Sequence, residues 1–497
     1  MTDIVIGIIP KIEPYAPTTG PALLKAHCEA EGFSARLIDY NLRLYRYLQR
    51  KMKARKYYED NDTAFTTWYP ENYAYPDEWE ELWNDIELEV KSWVKELLQI
   101  NPPWVGLSLL SKVSLTVGKK FAELIKEANP NIKIVVGGGA TRPAMQQWID
   151  EGIIDYYVYG DGEFNLPALL RGETDRPGIN TTEPSQLDDL NKSLFPDYSD
   201  IDFSAYEIDQ QQNNIVYLTA SRGCVKKCTF CDVPLLWPVF KWRSAEHIWA
   251  EVMLLYYKYG RRTFRFTDSL INGNMKTFRI LLKKISEFNS RFDYEEDKEI
   301  KWWSQWIVRG RTQMQESDFQ LIAESNVMEL DIGIESFSEQ VRWHMGKKIT
   351  DEDLWWNLEM LHKYNIHYTI LMITGYPTET AEDHQITLDS IRKMAELGYV
   401  NPKSNKPNTA YMSFGNMMNI AIDTKIYHQL KDDPDFSFEN DVIWTYKDNT
   451  PEERLRRHLE ANDLVSELSG QQLSWMERKE IRKQNDTIEL KKLVNHN

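Results

Sequence analysis

The feature that most constrains this chain is the run Cys224-Val-Lys-Lys-Cys228-Thr-Phe-Cys231, which gathers three of its four cysteines into one short loop. Thiolates presented this way hold three irons of a 4Fe–4S cluster and leave the fourth iron without a protein ligand, open to a small molecule. The alternative is a structural zinc ion. Zinc takes four closed ligands, commonly completed by a second paired Cys/His half, and nothing downstream supplies one. Cys28 is distant and His247 does not stand at finger spacing. The cluster reading is therefore preferred, and a chance gathering of buried thiols ranks behind both.

A chain of 497 residues is long for one domain, so two or three are expected, each with its own core. Four cysteines with this spacing are no disulfide framework. They suit a reducing compartment, and the cytoplasm is the expected location. The apolar start, Ile4 to Ile9, lacks a basic flank and reads as a buried strand rather than a signal peptide. No stretch approaches the ~18 apolar residues that span a bilayer, so no membrane partner is expected. The net charge of -17 repels phosphate backbones, which disfavours nucleic acid as a partner. The 17 Trp and 26 Tyr are explained first by core packing, and they also suit a large flat cofactor.

Along the chain the fold class is α/β. Strands at Ile4 to Ile9 and Ala35 to Asp39 flank a helix from Gly20 to Glu31, a βαβ unit and hence a parallel sheet. A polar, aromatic-rich helical insertion is expected over 41–100. Strands resume at Trp104 to Leu110, Ile132 to Val136 and Tyr156 to Tyr159, the last two ending in glycine-rich turns. Such a Rossmann-like, doubly wound sheet binds ligands at the carboxyl ends of its strands. Residues 173–214 lack periodicity and read as a linker. From Ile215 to about residue 400, βα units repeat and predict a partial (β/α)6 barrel with its chemistry at the carboxyl-end rim. A small α-rich extension is expected over 401–497, with a strand near Tyr411 to Phe414, a loop near Asp432 to Asp435 and helices from Pro451 and Leu473.

Further polar groups fall at strand ends of the second unit: Asp268, Arg309 and Arg311, Glu335, and Gly375 with Glu379. Helix capping or first-turn charge explains Asp268 and Glu379 as well as a functional role does. Arg311 either neutralises a substrate carboxylate or pairs with a neighbouring acid. Glu335 ends an apolar strand, and a carboxylate at a barrel mouth is placed to bond a ribose or an ammonium group.

Together these segments resemble the radical S-adenosylmethionine (SAM) superfamily over about residues 215 to 400. Its cluster loop has the spacing Cys-x3-Cys-x2-Cys with an aromatic before the last cysteine, here Phe230. Gly333-Ile-Glu335-Ser336, followed by Glu339 to Lys347, is similar to the family's fourth-strand region. Phe264 to Asp268 and Gly375-Tyr-Pro-Thr-Glu-Thr380 are similar too. The resemblance implies that Cys224, Cys228 and Cys231 ligate the cluster. It also implies SAM contacts from the Phe230 backbone and Gly375 to adenine, from Asp268 and Arg311 to the methionine end, and from Glu335 to the ribose or amino group.

The N-terminal unit, residues 1–172, resembles the cobalamin-binding (B12) domain fused to one branch of that superfamily. The likeness rests on Pro17 and Gly20 before the first helix, Ser108-Leu-Leu110, Gly137-Gly138 and Val158 to Glu163. It implies cobalamin contacts from Tyr15, Pro17, Gly20, Ser108, Leu110, Gly137, Gly138 and Glu163. Methionine-synthase-like cobalamin domains place a histidine under the cobalt from a loop Asp-x-His-x-x-Gly. The matching run here, Tyr15-Ala-Pro17-Thr-Thr-Gly20, offers none. An empty Rossmann-like lid is the alternative reading of this unit.

The expected function is a cobalamin-dependent radical SAM enzyme, most simply a methyltransferase to an unactivated carbon through a 5′-deoxyadenosyl radical and methylcobalamin. Its close rival ends in cyclisation, ring contraction or oxidation. A redox sensor and a zinc-stabilised binding module are rivals of other classes. The expected partners are a small-molecule or peptide substrate and an electron donor such as flavodoxin or ferredoxin.

Overall fold

The computed structural model describes residues 2–10, 14–54, 76–111, 113–206, 214–292, 297–398, 412–415 and 417–469. By compactness the chain forms two units: residues 1–219 with 235–237 and 250–263, and residues 220–234, 238–249 and 264–497. Among the described residues no helix is long and apolar enough to cross a membrane. The helix expected from Leu473 lies outside the described residues.

In the first unit five parallel strands, β1 (Ile4–Ile8), β2 (Ala35–Asp39), β3 (Trp104–Ser108), β4 (Lys133–Gly137) and β5 (Tyr156–Tyr157), stand in the order β2-β1-β3-β4-β5. The order reverses between β1 and β3, which opens a crevice at their carboxyl ends. Ile8 pairs with Ser108, and Ser108 with Gly137, so three strand ends are level there. The helix Ser114–Ala128 buries Val117, Phe121, Ala122 and Ile125, one face at helical spacing.

The stretch expected as a polar insertion is part of this core. Helices Tyr40–Ala54 and Pro76–Ile100 bury Tyr40, Leu44 and Leu48 from the first and Leu82, Ile86, Val90, Trp93 and Leu97 from the second. The spacing of the second set is again one helical face, dispersed among charged residues that face outward. Trp93 packs between Tyr40 (ring centroids 4.8 Å apart) and Phe121 (5.5 Å), and its indole N–H donates to Glu89 at 3.0 Å.

The described residues of 173–214, expected as a linker, group with the first unit. The buried Lys25 ammonium donates to Asp200 and Ser199, both at 2.6 Å. Tyr206 donates its hydroxyl to Asp39, whose carboxyl is pushed up to about 6 by burial. Ser185 lies so close over Gly160 (φ +92) that a side chain there would strike its carbonyl. β6 (Ile215–Leu218) then leads toward the cysteine loop.

In the second unit the hairpin β7 (Ser221–Arg222) and β8 (Lys241–Trp242) brackets the cysteines. The strands β9 (Thr263–Phe266), β10 (Lys301–Trp306), β11 (Val327–Glu335), β12 (Tyr368–Met372) and β13 (Met412–Ser413) lie side by side in sequence order, β10 to β13 parallel. Side chains alternate along β11. Leu330, Ile332 and Ile334 are fully buried, whereas Glu329, Asp331, Gly333 and Glu335 are partly open on the other face. Helices Met275–Asn289, Glu316–Glu324, Asp351–Lys363 and Ala381–Glu396 complete the βα units. Thr380 caps the last of them in a reciprocal box with Asp383.

After β13 come a two-stranded sheet, β14 (Phe436–Phe438) with β15 (Trp444–Tyr446), and the helix Pro451–Ser469. The small sheet was not expected. Arg454 is fully buried, its guanidinium 3.6 Å from the Trp444 ring centroid and donating to the carbonyls of Val442 and Trp444, both at 2.8 Å. Burial pushes its pKa down to about 9.

Trp93→Ala should lower the unfolding free energy of the first unit by about 3–5 kcal/mol in urea denaturation, the cost of a large aromatic removed from a closed core. A loss below about 1 kcal/mol would place Trp93 on a surface.

Candidate active site

The cysteine loop has almost no regular structure, so strand ends must hold it. At its start the Asp268 carboxylate accepts the Ala220 amide at 3.0 Å and the Ser221 hydroxyl. Asp268 is 2 % exposed, and burial, partly offset by these bonds, pushes its pKa up to about 6. The resemblance assigned this acid to the methionine end of SAM; its carboxylate is engaged with the chain itself. At the loop's end the Thr229 amide donates to Met345 O at 2.9 Å, Ile426 N donates to Thr229 O at 2.8 Å, and the Thr229 and Tyr376 hydroxyls meet at 2.7 Å. Phe230 packs on the cluster of Val341, Met345, Tyr376 and Trp444.

All three thiols share one neighbourhood. Each of Cys228 and Cys231 feels the charge of Cys224, and Cys231 that of Cys228. Burial pushes the Cys231 thiol up to about 12, and pushes Cys228 up against the pull of Lys347 and Lys226. The Lys226 amide donates to Cys224 Sγ at 3.4 Å. Among the described residues no three His, Cys, Asp or Glu side chains meet the spacing of a single closed metal site. Three half-buried thiols that feel one another's charge, with Lys226 and Lys347 acting on Cys228, fit a cluster that takes one thiolate per iron. Cys28 stands apart in the first unit, fully buried, its thiol pushed up to about 12 by burial.

Glu335 ends β11 in the left-handed region, φ +68, and pairs with Lys347 at 2.8 Å. Lys347 also donates to Gly333 O at 2.6 Å. Burial pulls the lysine's pKa down, but Glu335, Cys228 and Cys224 outweigh it, and the net direction is up.

Of the two readings open for Arg311, the structure shows the pairing with a neighbouring acid. Arg311 is more than half exposed, lies 3.6 Å from Glu352 and rests over Trp356. Arg309 instead turns inward, donates to the carbonyls of Asn272 and Gly273, both at 2.9 Å, and feels the Cys224 charge. Gly375 (φ +81) has its amide on Glu379 at 3.0 Å and its carbonyl on Asn449, while the Arg454 stem fills the space a side chain would need. Glu379 is buried, pushed up to about 7 by burial despite Arg457. The sequence places Arg309 at a strand end without a role and Lys347 at the close of the run after Glu335, and it gives no signal for Tyr376.

In the first unit Ser108 and Gly137 sit level at the crevice, with Leu110 exposed beyond them. A side chain on Gly138 (φ +106) would come within 2.7 Å of Leu109 O, and one on Gly139 within 2.7 Å of Leu110 O, so the chain's own backbone demands these glycines. Pro17 and Glu163 are buried and Tyr15 is half-buried, whereas Gly20 is exposed with open space before it. The hydroxyls of Thr18 and Thr141 are buried without a hydrogen-bond partner. Two orphaned hydroxyls, on the segments that follow β1 and β4, fit a polar ligand such as the cobalamin tail.

The radical SAM superfamily model matches residues 218–391, and the B12 binding domain model matches residues 77–170. An uncharacterized methyltransferase of Pyrococcus horikoshii is 24 % identical over 318 residues, covering 60 % of this chain and 66 % of the relative. The tRNA-2-methylthio-N(6)-dimethylallyladenosine synthase of Flavobacterium psychrophilum is 26 % identical over 322 residues, 61 % of this chain and 64 % of the relative. The chain thus spans slightly under two thirds of these relatives' length. Among solved structures, the radical SAM methyltransferase TsrM of Kitasatospora setae, with cobalamin and a 4Fe–4S cluster bound, aligns with TM-score 0.56 and 16 % identity over 79 % of this chain and 70 % of that one. The cobalamin-dependent SAM radical enzyme OxsB, with aqua-cobalamin and SAM bound, aligns with TM-score 0.64 and 16 % identity over 86 % of this chain and 60 % of that one.

Fold and site therefore define an α/β protein that joins a B12-binding domain to a radical SAM domain. Residues 218–391 are thus similar to the radical SAM superfamily and residues 77–170 to the B12 binding domain, and the chain shares its fold with solved enzymes that carry both cofactors.

Because the folded-state pKa of Asp268 lies above that of an exposed carboxylate, the native state keeps a proton that the unfolded chain loses between about pH 4 and pH 6. The stability this contributes is lost as pH rises through that window. Asp268→Asn should gain on the wild type in urea denaturation as pH rises from 4.5 to 7, by at most about 3 kcal/mol. A stability difference independent of pH would show Asp268 to be solvated.

Proposed function

We propose that this chain is a cobalamin-dependent radical SAM methyltransferase acting on an unactivated carbon of a small-molecule or peptide substrate. The observation that carries this reading is one neighbourhood of three thiols in a chain that also bears a B12-binding domain. The names of the Pyrococcus relative and of TsrM, both methyltransferases, support methyl transfer. When bound, the cluster and cobalamin supply the electron that cleaves SAM and the methyl group that is transferred.

The chain's own residues bind, orient and exclude water. Cys224, Cys228 and Cys231 would hold three irons. Glu335 and Arg309 offer an anion and a cation at strand ends, complementary to the ammonium and carboxylate of an amino-acid moiety such as that of SAM. Phe230, Met345 and Tyr376 pack apolar surface beneath the loop and keep water from it. Thr18, Ser108 and Thr141 would bond the cobalamin tail, and Pro17 offers no imidazole to the cobalt. A flavodoxin or ferredoxin as electron donor and the cytoplasm as location complete the reading.

Anaerobically reconstituted protein given SAM, cobalamin and a reductant should yield S-adenosylhomocysteine together with 5′-deoxyadenosine. 5′-Deoxyadenosine alone would replace methyl transfer by cyclisation, ring contraction or oxidation. Alanine at Cys224, Cys228 or Cys231 should abolish the brown chromophore and SAM cleavage, whereas Cys28→Ala should spare both. An intact cluster in Cys228→Ala sinks the assignment.

A further inference from the structure

Lys347 is 8 % exposed, and among the described residues its ammonium has two partners, both on β11. It pairs with Glu335 Oε1 at 2.8 Å, donates to Gly333 O at 2.6 Å, and belongs to a turn pressed against the cysteine loop. In that turn Gly346 (φ +79) approaches so closely that a side chain on it would stand 3.1 Å from Lys227 O and 3.7 Å from the Cys228 Cα. Thr229 N to Met345 O, at 2.9 Å, locks the same turn to the loop. Glu335 reaches the lysine from a left-handed backbone, at a register shift between Gly333 and Glu335 in the pairing with β12. Bulges re-aim side chains, and a strained non-glycine residue persists only where its surroundings over-determine it. A buried ion pair is itself poor evidence for a stabilising role, since apolar packing does as well. Its placement beside the thiols points elsewhere.

Resting on the reading that the three cysteines hold a cluster, we propose that Lys347 is a positioning residue that sets the cluster's reduction potential, with Glu335 as the counter-charge that trims it. Reduction adds one negative charge to the cluster. A cation held in a poorly solvated place beside it favours the reduced form, and an anion beside that cation opposes it. The charged groups facing the loop include Lys226 and Arg309 as well, but among the described residues neither is paired with a carboxylate at the strand end. The Lys347–Glu335 pair is therefore the element whose two halves act with opposite sign.

The test is the midpoint potential of the reconstituted cluster, followed by electron paramagnetic resonance during reductive titration, in the full-length wild type, Lys347→Met, Lys347→Arg and Glu335→Gln. Lys347→Met should shift the midpoint to more negative values, Glu335→Gln to more positive values, and Lys347→Arg should stay near the wild type. Shifts of the same sign in the first two, or no shift in either, overturn the proposal. If Lys347→Met holds no iron, Glu335→Gln decides alone, and a midpoint no more positive than the wild type overturns it. Iron and sulfide content of the same samples separates the two levels. A wild type without a cluster removes the underlying reading, whereas a normal cluster with unmoved potentials removes only the lysine's role.

Discussion

The Asp268 carboxylate, almost wholly out of water, is the fastening on which the cysteine loop depends. The loop has little hydrogen-bonding structure of its own, so its geometry is borrowed from strand ends. Asp268 holds Ala220 and Ser221 at one end, and Thr229 is held by Met345, Tyr376 and Ile426 at the other. Cys224 and Cys228 lie between these two anchors, and Cys231, two residues past the second, is tied back by its amide to Cys228 O at 3.3 Å. Polar groups buried in this way are useful only when satisfied, and the bonds to Asp268 satisfy both oxygens.

A second constraint is charge. Three thiols in a partly buried place are costly to ionise, and the structure answers with cations from three separate segments: Lys226 in the loop, Arg309 after β10 and Lys347 after β11. Each of the three feels the charge of Cys224. The parallel sheet makes this convergence possible, because it delivers all its carboxyl ends to one rim.

Much of this was legible in the sequence. Cysteine spacing alone located the loop, and period-2 and period-3.6 patterns located the strands and the longer helices. What stayed hidden was hidden for physical reasons. The helix Pro76–Ile100 reads as polar because its charged residues outnumber its apolar stripe, although Leu82, Ile86, Val90, Trp93 and Leu97 share one buried face. Arg309 and Arg311 follow the same strand two residues apart, and nothing local says which one turns inward. The resemblance implies ligand contacts from Asp268 and Gly375, and a strand-end acid or glycine looks the same in one dimension whether it meets a cofactor or the protein's own backbone. The stretch 173–214 lacks periodicity because its order comes from single anchors, Lys25 to Asp200 and Asp39 to Tyr206, rather than from a repeating face.

The Arg454 stem that fills the space above Gly375 has a consequence for how the protein is made. The Gly375 loop closes only around an arginine that lies far downstream, on the helix Pro451–Ser469. During vectorial synthesis the barrel strands leave the ribosome well before that helix does, and domains settle as their sequence becomes available. The rim at β12 therefore stays unfinished until the last described helix has emerged. A nascent chain halted before Arg454 would present its cysteine loop with one wall missing, and the C-terminal segment acts as the closing piece of the barrel rather than as an appendage.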